Sequence, residues 1–106
     1  MTFDLSDIKS IGSEVSSRNM LFIYNDGQQE AAFLRIGKPF KLPEEQTWCC
    51  AFTLGTNSDN RLYPTVGIDS LQALDLTMKS LATIVAYWER SRKGKFHFLD
   101  EEGAGV

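Results

Sequence analysis

The sequence predicts an α+β fold: an antiparallel β-sheet of about four to five strands with one long amphipathic helix packed on one face. Three observations carry that expectation. β-branched and aromatic runs fill the first two-thirds of the chain, an Asp-Gly turn joins the first two of them, and a helical periodicity appears only afterwards. Strands first and one helix late is the order of a sheet covered from one side.

The first strand is read in Ile11 to Tyr24, which begins polar and Ser-rich and ends in "MLFIY". Asn25-Asp26-Gly27 follows, and Asp-Gly supplies the positive φ angles of a tight hairpin. The returning arm, Glu30 to Gly37, places Ala32, Leu34 and Ile36 on one face and Ala31, Phe33 and Arg35 on the other. Pro39 and Pro43 lack the amide hydrogens a central strand needs, so "GKPFKLPEE" is a loop. Thr47 to Gly55 is apolar and aromatic without strict alternation, which suits a central strand buried on both faces. After the polar turn "TNSDNR", the Pro-limited "LYPTVG" reads as an edge strand.

From Ser70 to about Arg90, Leu71, Leu74, Met78, Leu81, Val85 and Trp88 recur at alternating spacings of three and four. They define one face of a helix, with Ala73, Leu76, Ala82 and Ile84 on its shoulders. Its start, "GIDSLQAL", reads as a capping box. The Asp69 carboxylate accepts from the amide of Gln72, and the Gln72 side chain returns to the amide of Asp69. Ile68 then staples against the first turn, and Gly67 permits the sharp bend before it. Gly94 closes the helix, and "KFHFL" alternates Phe96 and Phe98 against His97 as a last strand. The chain is expected to be a single domain over 1–106, with a core of about 8–99 and a solvated tail over 100–106.

With 42% hydrophobic residues, the chain has material for a core without a metal or disulfide. Eleven basic against 14 acidic residues, a net charge of −3, is the wrong sign for a nucleic-acid binder and favours a basic protein partner. Arg90, Arg92, Lys93 and Lys95 cluster where they complement the helix dipole. No signal-peptide run or membrane span is read, so the expected location is cytoplasmic with reduced thiols.

Cys49 and Cys50 point to opposite faces of a strand, which disfavours a mutual bridge or a shared tetrahedral metal; no metal or cofactor is expected. A thiol-dependent enzyme pairing Cys49 or Cys50 with His97 is a secondary reading, without any neighbouring charge to lower the thiol pKa. A self-associating adaptor pairing the edge "RLYPTV" across a dimer is another. Trp48 is either core or an anchor in a partner's pocket.

"SRNMLFIY", "IGKP", "WCCAFTLG" and "GIDSLQALDLTMKSLATIVAYW" together resemble a family of small bacterial domains of unknown function. The resemblance rests on Arg18, on Gly37, Lys38 and Pro39, on Trp48 and Cys50, and on Gly67, Asp69, Gln72, Ala73 and Leu74. Such domains resemble immunity proteins of contact-dependent growth inhibition systems. That resemblance implies a non-enzymatic protein, a monomer or weak dimer, that binds a cognate toxin, in many cases a basic nuclease, and occludes its active site. On that implication, the contact residues would be the loop acids and an aromatic: Asp26, Glu44, Glu45, Asp59 and Trp48. Gly67, Asp69 and Gln72 would be scaffold.

Overall fold

The computed structural model describes residues 5–43 and 46–106. After a 3-10 turn at Leu5–Asp7 come β1 (Glu14–Tyr24), β2 (Gln29–Gly37), β3 (Phe40–Lys41), β4 (Trp48–Thr56) and β5 (Asn60–Gly67). Helix α1 (Ser70–Arg92), β6 (Gly94–Phe98) and β7 (Glu101–Glu102) complete the order. The α+β class holds, with one helix on an open antiparallel sheet. Among the described residues the sheet has seven strands rather than four to five. The surplus lies in β3 and β7, two residues each, too short to show any period in sequence.

The five longer strands lie in the order β5-β4-β2-β1-β6. Helix α1 joins the two outer ones and must therefore cross the sheet; its 23 residues span ~35 Å at 1.5 Å per residue. Strand β4 pairs with β2 and β3 on one side and with β5 on the other, the central place its composition predicts. Strand β5, the Pro-containing run, lies at the edge.

Register brings alternate residues together beneath the helix. Leu34 pairs with Leu54, Ile36 with Phe52, and Phe22 with Phe96. The Phe22 and Phe96 rings meet edge to face, centroids 4.9 Å apart. Met20, Ala32, Cys50, Leu81, Val85 and Trp88 complete this core.

The buried stripe of α1 is Ala73, Thr77, Leu81, Val85 and Trp88, so the predicted line holds at Leu81, Val85 and Trp88 and fails at Leu71 and Met78. Leu71 is 73% exposed and Met78 50%. The cause is close approach at the N-terminal half. A Cβ on Gly67 would sit 2.6 Å from the Ala73 amide nitrogen, and the Thr77 hydroxyl reaches the carbonyls of Ala73 and Cys50. Only small side chains fit there, so the helix turns Ala73 and Thr77 inward and its larger neighbours outward.

The stretch read as a solvated tail also packs. The Gly103 amide donates to the Phe96 carbonyl at 2.7 Å, and Ala104 is 4% exposed. Arg18 Nη1 donates to the carbonyls of Ala104 and Gly105 while its guanidinium covers the Phe98 ring at 4.1 Å.

Candidate functional site

Apart from Arg18, which stands mid-sheet opposite Leu34, the motif residues lie toward one end of the molecule, where local packing engages them. Gly67 lies opposite Trp48 in the β4–β5 register. The Cys50 thiol donates to the Gly37 carbonyl at 3.4 Å, and Gly37 has the Ile11 carbonyl where a Cβ would lie. At the helix start, Asp69 Oδ1 accepts from the Gln72 amide at 2.7 Å. Gln72 Oε1 in turn accepts from the Ile68 amide at 2.7 Å, one residue earlier than the expected Asp69 amide. Ile68 does not staple: it is 75% exposed, because Ala73, where a staple would close, is already packed against Gly67.

Among the described residues, the proposed contacts Asp26, Asp59 and Trp48 do not form one surface. Asp26 lies in the β1–β2 turn, where Oδ1 accepts from the Gln28 amide. Asp59 lies in the β4–β5 turn at the same end. Its carboxylate takes Nε of Arg92 at 2.9 Å, and this bond holds its pKa below the usual carboxylate range. Arg92 also covers the Trp88 ring at 3.6 Å. Beside them Glu30 accepts from the Tyr24 hydroxyl and from Ser58, both at 2.8 Å, which lowers the Glu30 pKa and raises that of Tyr24. These carboxylates tie turns and helix together. Trp48 begins β4 at the opposite end, half-buried against the core and beside Pro39 and Phe40. Glu44 and Glu45 lie outside the described residues.

The cysteines and the histidine are also apart. Both thiols are 0% exposed, and burial pushes the Cys49 thiol pKa up. His97 pairs with Leu21 on β6, three strands from β4 and level with its far end. Strand spacing and rise put His97 ~14 Å across and ~26 Å along the sheet from Cys49. The pair does not assemble.

A different feature lies on the sheet face away from α1. Leu21, Ile23, Asn19, Gln29, His97 and Leu99 line a shallow hollow of about 630 Å3. Its position follows from period two: Met20 and Phe22 point to the helix, so Leu21 and Ile23 point outward. Beside it the β6–β7 hairpin turns through Leu99 and Asp100, both with positive φ, 53° and 63°. Such two-residue turns favour Asn-Gly, and left-handed backbone costs an ordinary residue about 1–3 kcal/mol. Leu99 bears that cost while 79% exposed. Asp100, Glu101 and Glu102, all exposed, flank it.

The hollow therefore offers Leu21 and Ile23 on its floor, Asn19, Gln29 and His97 as polar walls, and Asp100 at an acidic margin. That combination suits an apolar side chain presented on a basic protein surface. Sequence reading missed it because "FLDEEG" carries no Gly or Asn at the turn, and its acids read as tail. The remaining sequence signal was Leu99, an apolar residue standing directly before an acidic run.

A family model described as a domain of unknown function, DUF6968, matches residues 17–106. No curated protein and no solved structure matches the chain.

Proposed function

The chain belongs to this DUF6968 family, and we propose that it is a cytoplasmic, non-enzymatic immunity protein that binds a cognate contact-dependent growth inhibition toxin and occludes its active site. The observation that carries the reading is Leu99, an exposed apolar side chain on a costly turn, beside a hollow floored by Leu21 and Ile23 and beside three carboxylates. An interface centre rich in apolar contact with a charged rim is the usual anatomy of tight protein recognition. The acidic margin steers a basic nuclease domain toward the hollow and accelerates encounter at low salt. The net charge of −3 favours the same partner. Asp59 and Trp48 are not retained as contacts in this reading, since ion pairing and packing engage them; Asp26 stays as a peripheral acid in the hairpin that also supplies Gln29.

The experiment is a pull-down from source cells with the tagged chain and with a Leu99→Asp variant. The wild type is expected to recover the C-terminal domain of a large secreted toxin, and the variant to lose it. Recovery of no toxin domain by the wild type contradicts the function; equal recovery by both contradicts the site.

A further inference from the structure

Four of the 11 basic residues of this acidic chain, Arg90, Arg92, Lys93 and Lys95, fall where α1 ends and β6 begins. Complementing the helix dipole does not use them up, because a helix C-terminus carries only about half a negative charge. Arg92 is engaged, paired with Asp59 and laid over Trp88. The other three are exposed and make no ion pair among the described residues.

The chain path turns these three toward one another. Lys93 takes the left-handed conformation that ends α1, φ 55° and ψ 59°, and reverses the chain into β6. Glycine usually fills such a position. Here the glycine stands one residue later, because a Cβ on Gly94 would lie 2.5 Å from the Phe22 ring. Arg90 on the last helical turn, Lys93 at the reversal and Lys95 on the strand then line one hollow of about 400 Å3. Asn25 from the β1–β2 turn lines it too, held by the bond from its amide to the Lys93 carbonyl at 2.9 Å. Glu89 is the acid in the wall, and its Oε2 accepts from the Phe96 amide at 2.9 Å rather than from a cation. Like charges gathered around one concavity repel, and a bound anion removes that cost.

We infer that this hollow binds a phosphate monoester, the doubly charged oxyanion of a small phosphorylated molecule. Charge selects the ligand. Three cations, less the Glu89 carboxylate and the half charge of the helix end, leave about +1.5, and a phosphate monoester carries about −1.5 to −2 at neutral pH. A phosphodiester or a carboxylate, singly charged, leaves part of that unmet. The donors agree: two ammonium groups, a guanidinium and the Asn25 amide can all give hydrogen bonds to phosphate oxygens. An extended polyanion fits less well, since Asp26 follows Asn25 in the same turn and Asp59 lies against Arg92. The inference does not rest on toxin binding; the hollow opens at the Gly94 end of β6, away from Leu99.

The test is an NMR titration of the full chain at low salt with glycerol phosphate, and with dimethyl phosphate as the singly charged control. Glycerol phosphate is expected to give saturable amide shifts confined to Asn25, Ala86 and Lys93–Lys95, and dimethyl phosphate to bind about fivefold more weakly or worse. Arg90→Gln and Lys95→Gln are each expected to weaken binding by about fivefold. Lys93→Gly removes a charge and gives the left-handed position its preferred residue, so it should unfold at a higher temperature and still bind about fivefold more weakly. Shifts that fail to saturate, that spread equally to Lys38, Lys41 and Lys79, or that dimethyl phosphate reproduces at the same concentration overturn the inference. So does wild-type affinity in Lys93→Gly. Flotation with phosphatidic acid vesicles separates the two sources of a monoester: capture by vesicles without any response to glycerol phosphate overturns the small-molecule assignment, and a response to glycerol phosphate without capture supports it.

Discussion

On the helix side of the sheet, Phe22, Phe52, Phe96 and Trp88 are each at most 1% exposed; on the other side, Leu21 and Ile23 remain half-buried and Leu99 is 79% exposed. Both sides are built from the same strands by the same alternation. The helix side closes on itself, and its residues are explained by stability. The outer side retains apolar surface that folding does not cover, which is where a partner contributes.

If that contrast is right, substitutions on the two sides separate stability from binding. The largest loss is predicted for Trp88→Ala, about 3–5 kcal/mol in urea unfolding, because the indole is fully packed and supports Arg92. Gly67→Ala is predicted to cost about 1–3 kcal/mol by the same measurement, since the new methyl meets the Ala73 backbone. Asp69→Ala removes the acceptor of the Gln72 amide and is predicted to cost about 1 kcal/mol, read as a lower unfolding midpoint.

On the outer side the sign reverses. Replacing Leu99-Asp100 by Asn-Gly relieves two left-handed residues and is predicted to stabilise by about 1 kcal/mol while weakening partner binding. A variant that unfolds earlier and binds as before would erase the distinction between the faces.

The smallest predicted effect is acid sensitivity at the hairpin end. The folded pKa values of Asp59 and Glu30 lie below their ordinary values, chiefly through Arg92 and Tyr24 respectively. Their stabilisation is therefore present above the unfolded carboxylate pKa, about 4, and is lost as pH falls through the lower folded values. The Asp59 share is under about 1 kcal/mol, because its side chain is 45% exposed and screened. Unfolding midpoints from about pH 5 down to 3 should fall less steeply in Asp59→Asn than in the wild type.

The framework was legible because it is periodic. Asp26-Gly27 announced the hairpin, Ala32, Leu34 and Ile36 the inner face of β2, and Asp69 with Gln72 the start of the helix. The helix face was legible at Leu81, Val85 and Trp88 and misread only in its first half, where hydrophobicity favours Leu71 and Met78 while contact distance favours Ala73 and Thr77. Distance between elements leaves no mark in a single sequence. The hollow was illegible for a related reason: Leu99 and Asp100 violate turn preferences, and a rule cannot report the place where it is broken. The Arg18 clamp joins residues 86 positions apart, beyond any local pattern.

The account turns on whether Leu99 is a contact. The most direct measurement is calorimetric titration of the recovered toxin domain into wild type, Leu99→Asp and Trp48→Ala. The account predicts at least about tenfold weaker binding for Leu99→Asp and wild-type affinity for Trp48→Ala. The reverse ranking would contradict it and move the interface to the opposite end of the molecule.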